Sequence, residues 1–190
     1  MTKKLKKYLA GIKNILCESK TRTLIFAAAF AVSAVLLLLR FGLSWLFVRN
    51  LLFTLVLIFV GYSDFKEKKI PNPALISGLV IWAAALPLTG QANIKALYAI
   101  ITGAAFAGGL FLLKFIFEIY FKKVLLGSGD IKLIFVSALY LGLWHTVLMI
   151  FLSCIIELLV LLLKYKKFRE VIFPFGPAIC LSTFVMLFWD

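Results

Sequence analysis

Seven apolar stretches, separated by short polar segments, organise this chain: Leu24–Leu39, Leu46–Tyr62, Ala74–Leu88, Ala96–Phe117, Ile131–Gly142, Thr146–Leu163 and Phe175–Trp189. A helix that crosses a bilayer needs ~17–25 mostly apolar residues. The pattern therefore predicts an all-α, polytopic helical bundle of seven transmembrane helices, with six as the alternative count. The fifth stretch is short and starts directly at a polar loop, which suits a place partly inside protein. Only Leu143–His145 separates it from the sixth, so a tight hairpin is expected. Gly103, Gly108 and Gly109 in the fourth permit close helix packing. Arg49 lies near the start of the second, where its side chain can snorkel to the interface.

Composition strengthens this picture. Of 190 residues, 64% are apolar and 15% are charged, against ~45–50% and ~25% in soluble domains. Mean hydropathy is +1.08. A water-soluble fold of this size leaves roughly 30% of its unfolded surface exposed and could not hide so much apolar area. A soluble enzyme, a disordered tail and a disulfide-stapled secreted domain are excluded.

The net charge of +13 first suggests nucleic acid, but its distribution argues for loops at a membrane. Lys3 to Arg22, Lys66 to Lys69, Lys114 to Lys132 and Lys164 to Arg169 fall on one side of the alternating spans. Arg40, Arg49 and Lys95 fall on the other. The positive-inside rule then places the N-terminus and these loops in the cytoplasm. No nucleic-acid partner is expected. Residues 1–23 read as a basic cytoplasmic segment without the form of a cleavable signal, and 24–190 as a single membrane-embedded domain. Cys17, Cys154 and Cys180 show no metal-binding or disulfide spacing.

Acidic residues are scarce, which makes each one informative. Glu18, Glu67 and Glu170 sit among Lys and Arg and read as solvated surface, and Asp190 is terminal. Glu118 reads as interfacial. Glu157 lies inside the sixth stretch, where an acid is costly unless paired, protonated or near water; it is a second-tier candidate. Asp64 follows Gly61-Tyr62-Ser63, and Asp130 follows Gly127-Ser128-Gly129, at the same membrane face and a similar depth. As a structural residue Asp130 suits a helix N-cap ahead of Ile131. Asp64 stands at a helix C-terminal end, where a carboxylate opposes the dipole, so it needs another reason. Position alone leaves open a shared catalytic site or two unrelated structural acids. Paired carboxylates have a defined use. Two close acids cannot both ionise easily, so one retains a proton while the other serves as base. Gly127 and Gly129 would let a substrate strand approach Asp130 closely.

Three runs carry a resemblance to a family. Asp64-Phe65-Lys66-Glu67-Lys68-Lys69-Ile70-Pro71-Asn72 resembles the first active-site block of the type IV prepilin peptidases, an Asp at the end of a span followed by a basic stretch and Ile-Pro-Asn. Gly127-Ser128-Gly129-Asp130-Ile131-Lys132 is similar to the second block, Gly-x-Gly-Asp-x-Lys. Pro174-Phe175-Gly176-Pro177 is similar to the sequence that opens the family's last span. The resemblance implies an aspartic endopeptidase of the inner membrane that needs no cofactor. It would cut the basic leader from prepilin-like or pseudopilin-like precursors at the cytoplasmic face. The catalytic aspartates map to Asp64 and Asp130. Pro71, Asn72, Gly127, Gly129, Lys132 and Gly176 match the motifs without a derived role. Lys132 reads either as a snorkelling lysine or as a group acting on Asp130 or on substrate. Longer family members carry paired CxxC motifs and methylate the new N-terminus; Cys17 has no partner, so a peptidase-only form is expected.

Other sites carry less. His145 falls in the expected outer connection, away from both aspartates, and no zinc or serine-protease site can be assembled. Trp45, Trp82, Trp144 and Trp189 fall near outer span ends as an aromatic belt. Pro71 and Pro73 favour a stiff turn, and the Lys66–Lys69 loop is placed to attract anionic lipid headgroups. Two alternatives stand beside the prepilin peptidase. One is another Gly-x-Gly-Asp intramembrane peptidase resembling presenilin and signal peptide peptidase. The other is a non-enzymatic transport or assembly protein, although transport sites usually lie at mid-membrane.

Overall fold

The computed structural model describes residues 28, 30–88, 94–121, 127–164 and 175–189. The basic segment 1–23, Cys17, Pro174 and much of the lysine-rich connections fall outside these residues. Among the described residues there are six helices and no strand. They are α1 (Phe30–Phe41), α2 (Trp45–Glu67), α3 (Asn72–Ala85), α4 (Ile94–Phe121), α5 (Ser128–Lys164) and α6 (Gly176–Trp189). The architecture is an all-α membrane bundle. Helices α2, α4 and α5 are long and apolar enough to cross a membrane.

Local chemistry sets the ends. Ser44 caps α2, its Oγ accepting from the Phe47 N–H at 3.2 Å. Lys68 ends α2 in the left-handed region (φ 52°), its N–H bonded to the Asp64 carbonyl at 2.9 Å. Pro71 stands at the N-cap of α3, as the stiff turn predicted.

The expected hairpin between the fifth and sixth stretches is tighter than the sequence suggested. Helical geometry breaks at one residue, Gly142 (φ 70°, ψ −175°), and resumes at once. Leu143–His145 is therefore helical rather than a connection. A side chain at this φ/ψ is strained by ~1–3 kcal/mol, which leaves the position to glycine. Gly142→Ala is expected to lower thermal stability by about that amount, measured on detergent-solubilised protein.

The limb 128–141 forms the centre of the bundle. Ile131, Leu133, Ile134, Val136, Ala138, Leu139, Tyr140 and Leu141 are all buried, as its polar start and short length suggested. It packs among α3, α4 and α6. Phe53 of α2 stacks on Tyr140 at 3.7 Å between centroids, and Tyr140 Oη donates to the Gly78 carbonyl of α3 at 2.7 Å.

Four expectations need correction. Arg49 does not snorkel: it is buried, its Nε donates to Asn50 Oδ1 at 3.1 Å, and its guanidinium lies 5.4 Å from the Tyr140 ring centroid. That cation–π contact offsets part of the desolvation cost. Trp82 is buried in the core, while Trp45, Trp144 and Trp189 are exposed. Among the described residues, Gly103 of α4 packs against Phe135, whereas Gly108 and Gly109 meet nothing within 4 Å. Asp130 is not an N-cap, because α5 already starts at Ser128.

Candidate active site

Both aspartates stand where a helix begins, although only one of them belongs to that helix. Asp130 is the third residue of α5, and its carboxylate lies against Gly127, the residue preceding the helix. A Cβ at 127 would stand 2.8 Å from Asp130 Oδ2, so the close approach requires glycine.

Asp64 lies in the last turn of α2 and is buried. The dipole of its own helix opposes its charge. The first residue of α6 supplies the compensation: the Gly176 N–H donates to Asp64 Oδ2 at 3.0 Å. The positive end of α6 thus faces the carboxylate. A Cβ at 176 would stand 2.5 Å from Oδ2 and 2.9 Å from Cγ, so only glycine can bring this N–H so close. On the next turn of α6, Cys180 packs against Gly61, one turn before Asp64.

The three sequence blocks therefore meet. Gly176 of the third touches Asp64 of the first. Gly129 of the second rests on Ile70 of the first, where an added Cβ would be 3.1 Å from Ile70 Cβ. Lys132 Nζ donates to Asn72 Oδ1 at 3.1 Å. Helices α3, α5 and α6 all start beside the C-terminal end of α2. Helices α3 and α6 have 14 residues each, about 21 Å against ~30 Å of hydrocarbon.

The charge of Asp64 acts on Asp130, so the two carboxylates share one electrostatic environment. Glu157 joins them: its charge acts on Asp130, and that of Asp64 acts on it. A straight helix would separate Asp130 from Glu157 by about 40 Å. The reversal at Gly142 returns Glu157 towards the depth of the aspartates. Its position within an apolar run was the signal in the sequence; nothing there linked it to Asp64. Among the described residues no group of three His, Cys, Asp or Glu could hold a metal ion.

Beside this site, Thr54, Leu57, Gly61 and Phe65 of α2 and Pro177, Cys180 and Phe184 of α6 line an apolar cavity of about 640 Å³. The arrangement offers two carboxylates on adjoining blocks, Asp64 held by the Gly176 N–H and Asp130 lying against Gly127, next to an apolar cleft. Such a pair can hold one proton between two acids and polarise a water molecule.

Comparison with known proteins gives one family. The sequence profile of the type IV leader peptidase family matches residues 51–162, a range that includes both aspartates but not Gly176. The chain is 28% identical over 153 residues to a prepilin leader peptidase/N-methyltransferase of Legionella pneumophila, covering 79% of this chain and 53% of that protein. It is 26% identical over 148 residues to the protein of the same name from Neisseria gonorrhoeae, covering 77% and 50%. The chain spans about half the length of these curated relatives. No solved structure matches it significantly.

Proposed function

The chain belongs to the type IV leader peptidase family, and from that premise we propose that Asp64 and Asp130 are the catalytic pair of a membrane aspartic endopeptidase. Its substrates are prepilin-like precursors, cut between leader and mature chain at the cytoplasmic face. The observation that carries this reading is the meeting of the three blocks, with Gly176 on Asp64, Gly129 on Ile70 and Lys132 on Asn72.

One carboxylate is ionised and takes a proton from water as the oxygen attacks the scissile carbonyl carbon. The other, protonated, donates to the carbonyl oxygen as it gains charge. The tetrahedral intermediate then collapses: the C–N bond breaks and the leaving nitrogen receives a proton from the pair. The pair titrates as a unit, so acid and base are roles of the dyad. Burial of Asp64 and the apolar cleft beside it limit bulk water, which strengthens these interactions.

The cytoplasmic assignment rests on charge. Lys66, Lys68 and Lys69 at the end of α2 and Lys132 in the first turns of α5 share the end that carries both aspartates. Arg40 and Arg49 lie near the other end of α2. Of the two activities in the relatives' names, only the leader peptidase is assigned to these residues.

The test is cleavage of a prepilin-like precursor by the protein reconstituted in vesicles, with both aspartates replaced in turn. Metal chelators and serine-directed reagents are expected to leave the rate unchanged. Loss of activity with a chelator that added metal restores would overturn the two-carboxylate mechanism.

A further inference from the structure

We propose that Asn72 and Lys132 form a positioning pair that sets the separation of Asp64 and Asp130. This rests on the catalytic reading of the two aspartates and assigns a role to residues outside the chemistry itself. The α2–α3 turn is a strut between the two acids. At one end Ser63, adjacent to Asp64, donates through Oγ to the Lys69 carbonyl at 3.2 Å and ties the turn back to α2. At the other end the turn meets α5 on both sides of Asp130. Ile70 rests on Gly129, and Asn72 Oδ1 accepts from Lys132 Nζ at 3.1 Å. The left-handed backbone at Lys68 makes this turn short, so little slack separates the two attachments.

The contacts to α5 divide the work. Ile70 on Gly129 is a steric stop that limits how closely the turn approaches α5. The Asn72–Lys132 hydrogen bond opposes separation. Both of these side chains are exposed, and an exposed polar pair adds little to stability. A displacement of about 1 Å at reacting groups, by contrast, can cost about 100-fold in rate. The pair is therefore expected to matter for turnover and hardly at all for folding.

A double-mutant cycle on the full chain in vesicles, with a prepilin-like precursor, tests this. Asn72→Ala and Lys132→Met are each expected to lower kcat by about 10-fold with KM within about 2-fold. The double variant should be no slower than the slower single variant, because both remove the same contact. Asn72→Asp keeps an acceptor for the lysine and should retain the parental rate, but not in the Lys132→Met background. Thermal unfolding of N72A and K132M should match the parent. Multiplicative losses in the double variant, a rise in KM confined to Lys132→Met, parental kcat in either single variant, or a marked fall in unfolding temperature would each overturn the pair's positioning role. Asp64→Asn and Asp130→Asn run alongside. If they still cleave, the catalytic reading has failed; if they are inactive while the cycle shows independence, only the positioning role has failed.

Discussion

Asp64→Asn and Asp130→Asn are each expected to reduce cleavage of a prepilin-like precursor by about 10³-fold or more, within the range general acid–base catalysis contributes, with the protein still inserted and folded. The substitutions are nearly isosteric. The amide introduced at position 64 retains an oxygen that can accept from the Gly176 N–H. The amide introduced at position 130 has nearly the same size and shape beside Gly127, so the packing that seats the side chain survives. What disappears is the ability to exchange a proton. Neither variant should be rescued by the remaining carboxylate, because one acid cannot act as donor and base in the same step. Detergent-extracted yield and unfolding temperature check the fold, and single-turnover cleavage checks the chemistry. Parental activity in either variant removes the dyad.

Gly176→Ala should be the most damaging change outside the two acids, about 100-fold in kcat. Its new methyl group would overlap the Asp64 carboxylate, 2.5 Å from Oδ2. Either the carboxylate rotates away or the start of α6 withdraws. In both cases the N–H at 3.0 Å is lost, and with it the compensation for a charge placed at the wrong end of its own helix. Overpacking adds ~1–3 kcal/mol of destabilisation. Gly108→Ala and Gly109→Ala are the controls: among the described residues neither meets anything within 4 Å, so activity should be unchanged and each helix position should gain up to ~1 kcal/mol. A Gly176→Ala protein with full activity would show that the α6 N-terminus has no part in holding Asp64.

Asp64 also shows how far the residues alone could be read. Its position at the end of an apolar run identified a carboxylate in need of a partner, and it did not identify that partner. The donor is a backbone N–H more than a hundred residues later, and every non-proline residue carries one. The motif match at Gly176 was visible, but its meaning as the absence of a Cβ was not. Arg49 and Trp82 failed for a related reason. Their types predict an interfacial place on average, while Arg49 is buried against the Tyr140 ring and Trp82 belongs to the same buried core cluster. Gly108 and Gly109 carry the same small-residue signal as Gly103, and only the facing helix distinguishes them.

The amino-acid order on its own determined the membrane class and the helical segments, and it singled out the two acids. Each of these follows from local properties: apolar length against bilayer thickness, charge along the loops, and short runs of motif. Tertiary structure alone decided that the acids share one field, that Glu157 returns to their level through a reversal at one residue, and that three helix starts surround the end of α2. Those outcomes depend on which faces of the helices touch. In lipid that choice rests on close packing and on hydrogen bonds between distant segments rather than on hydrophobicity, and such contacts leave no periodic trace along the chain.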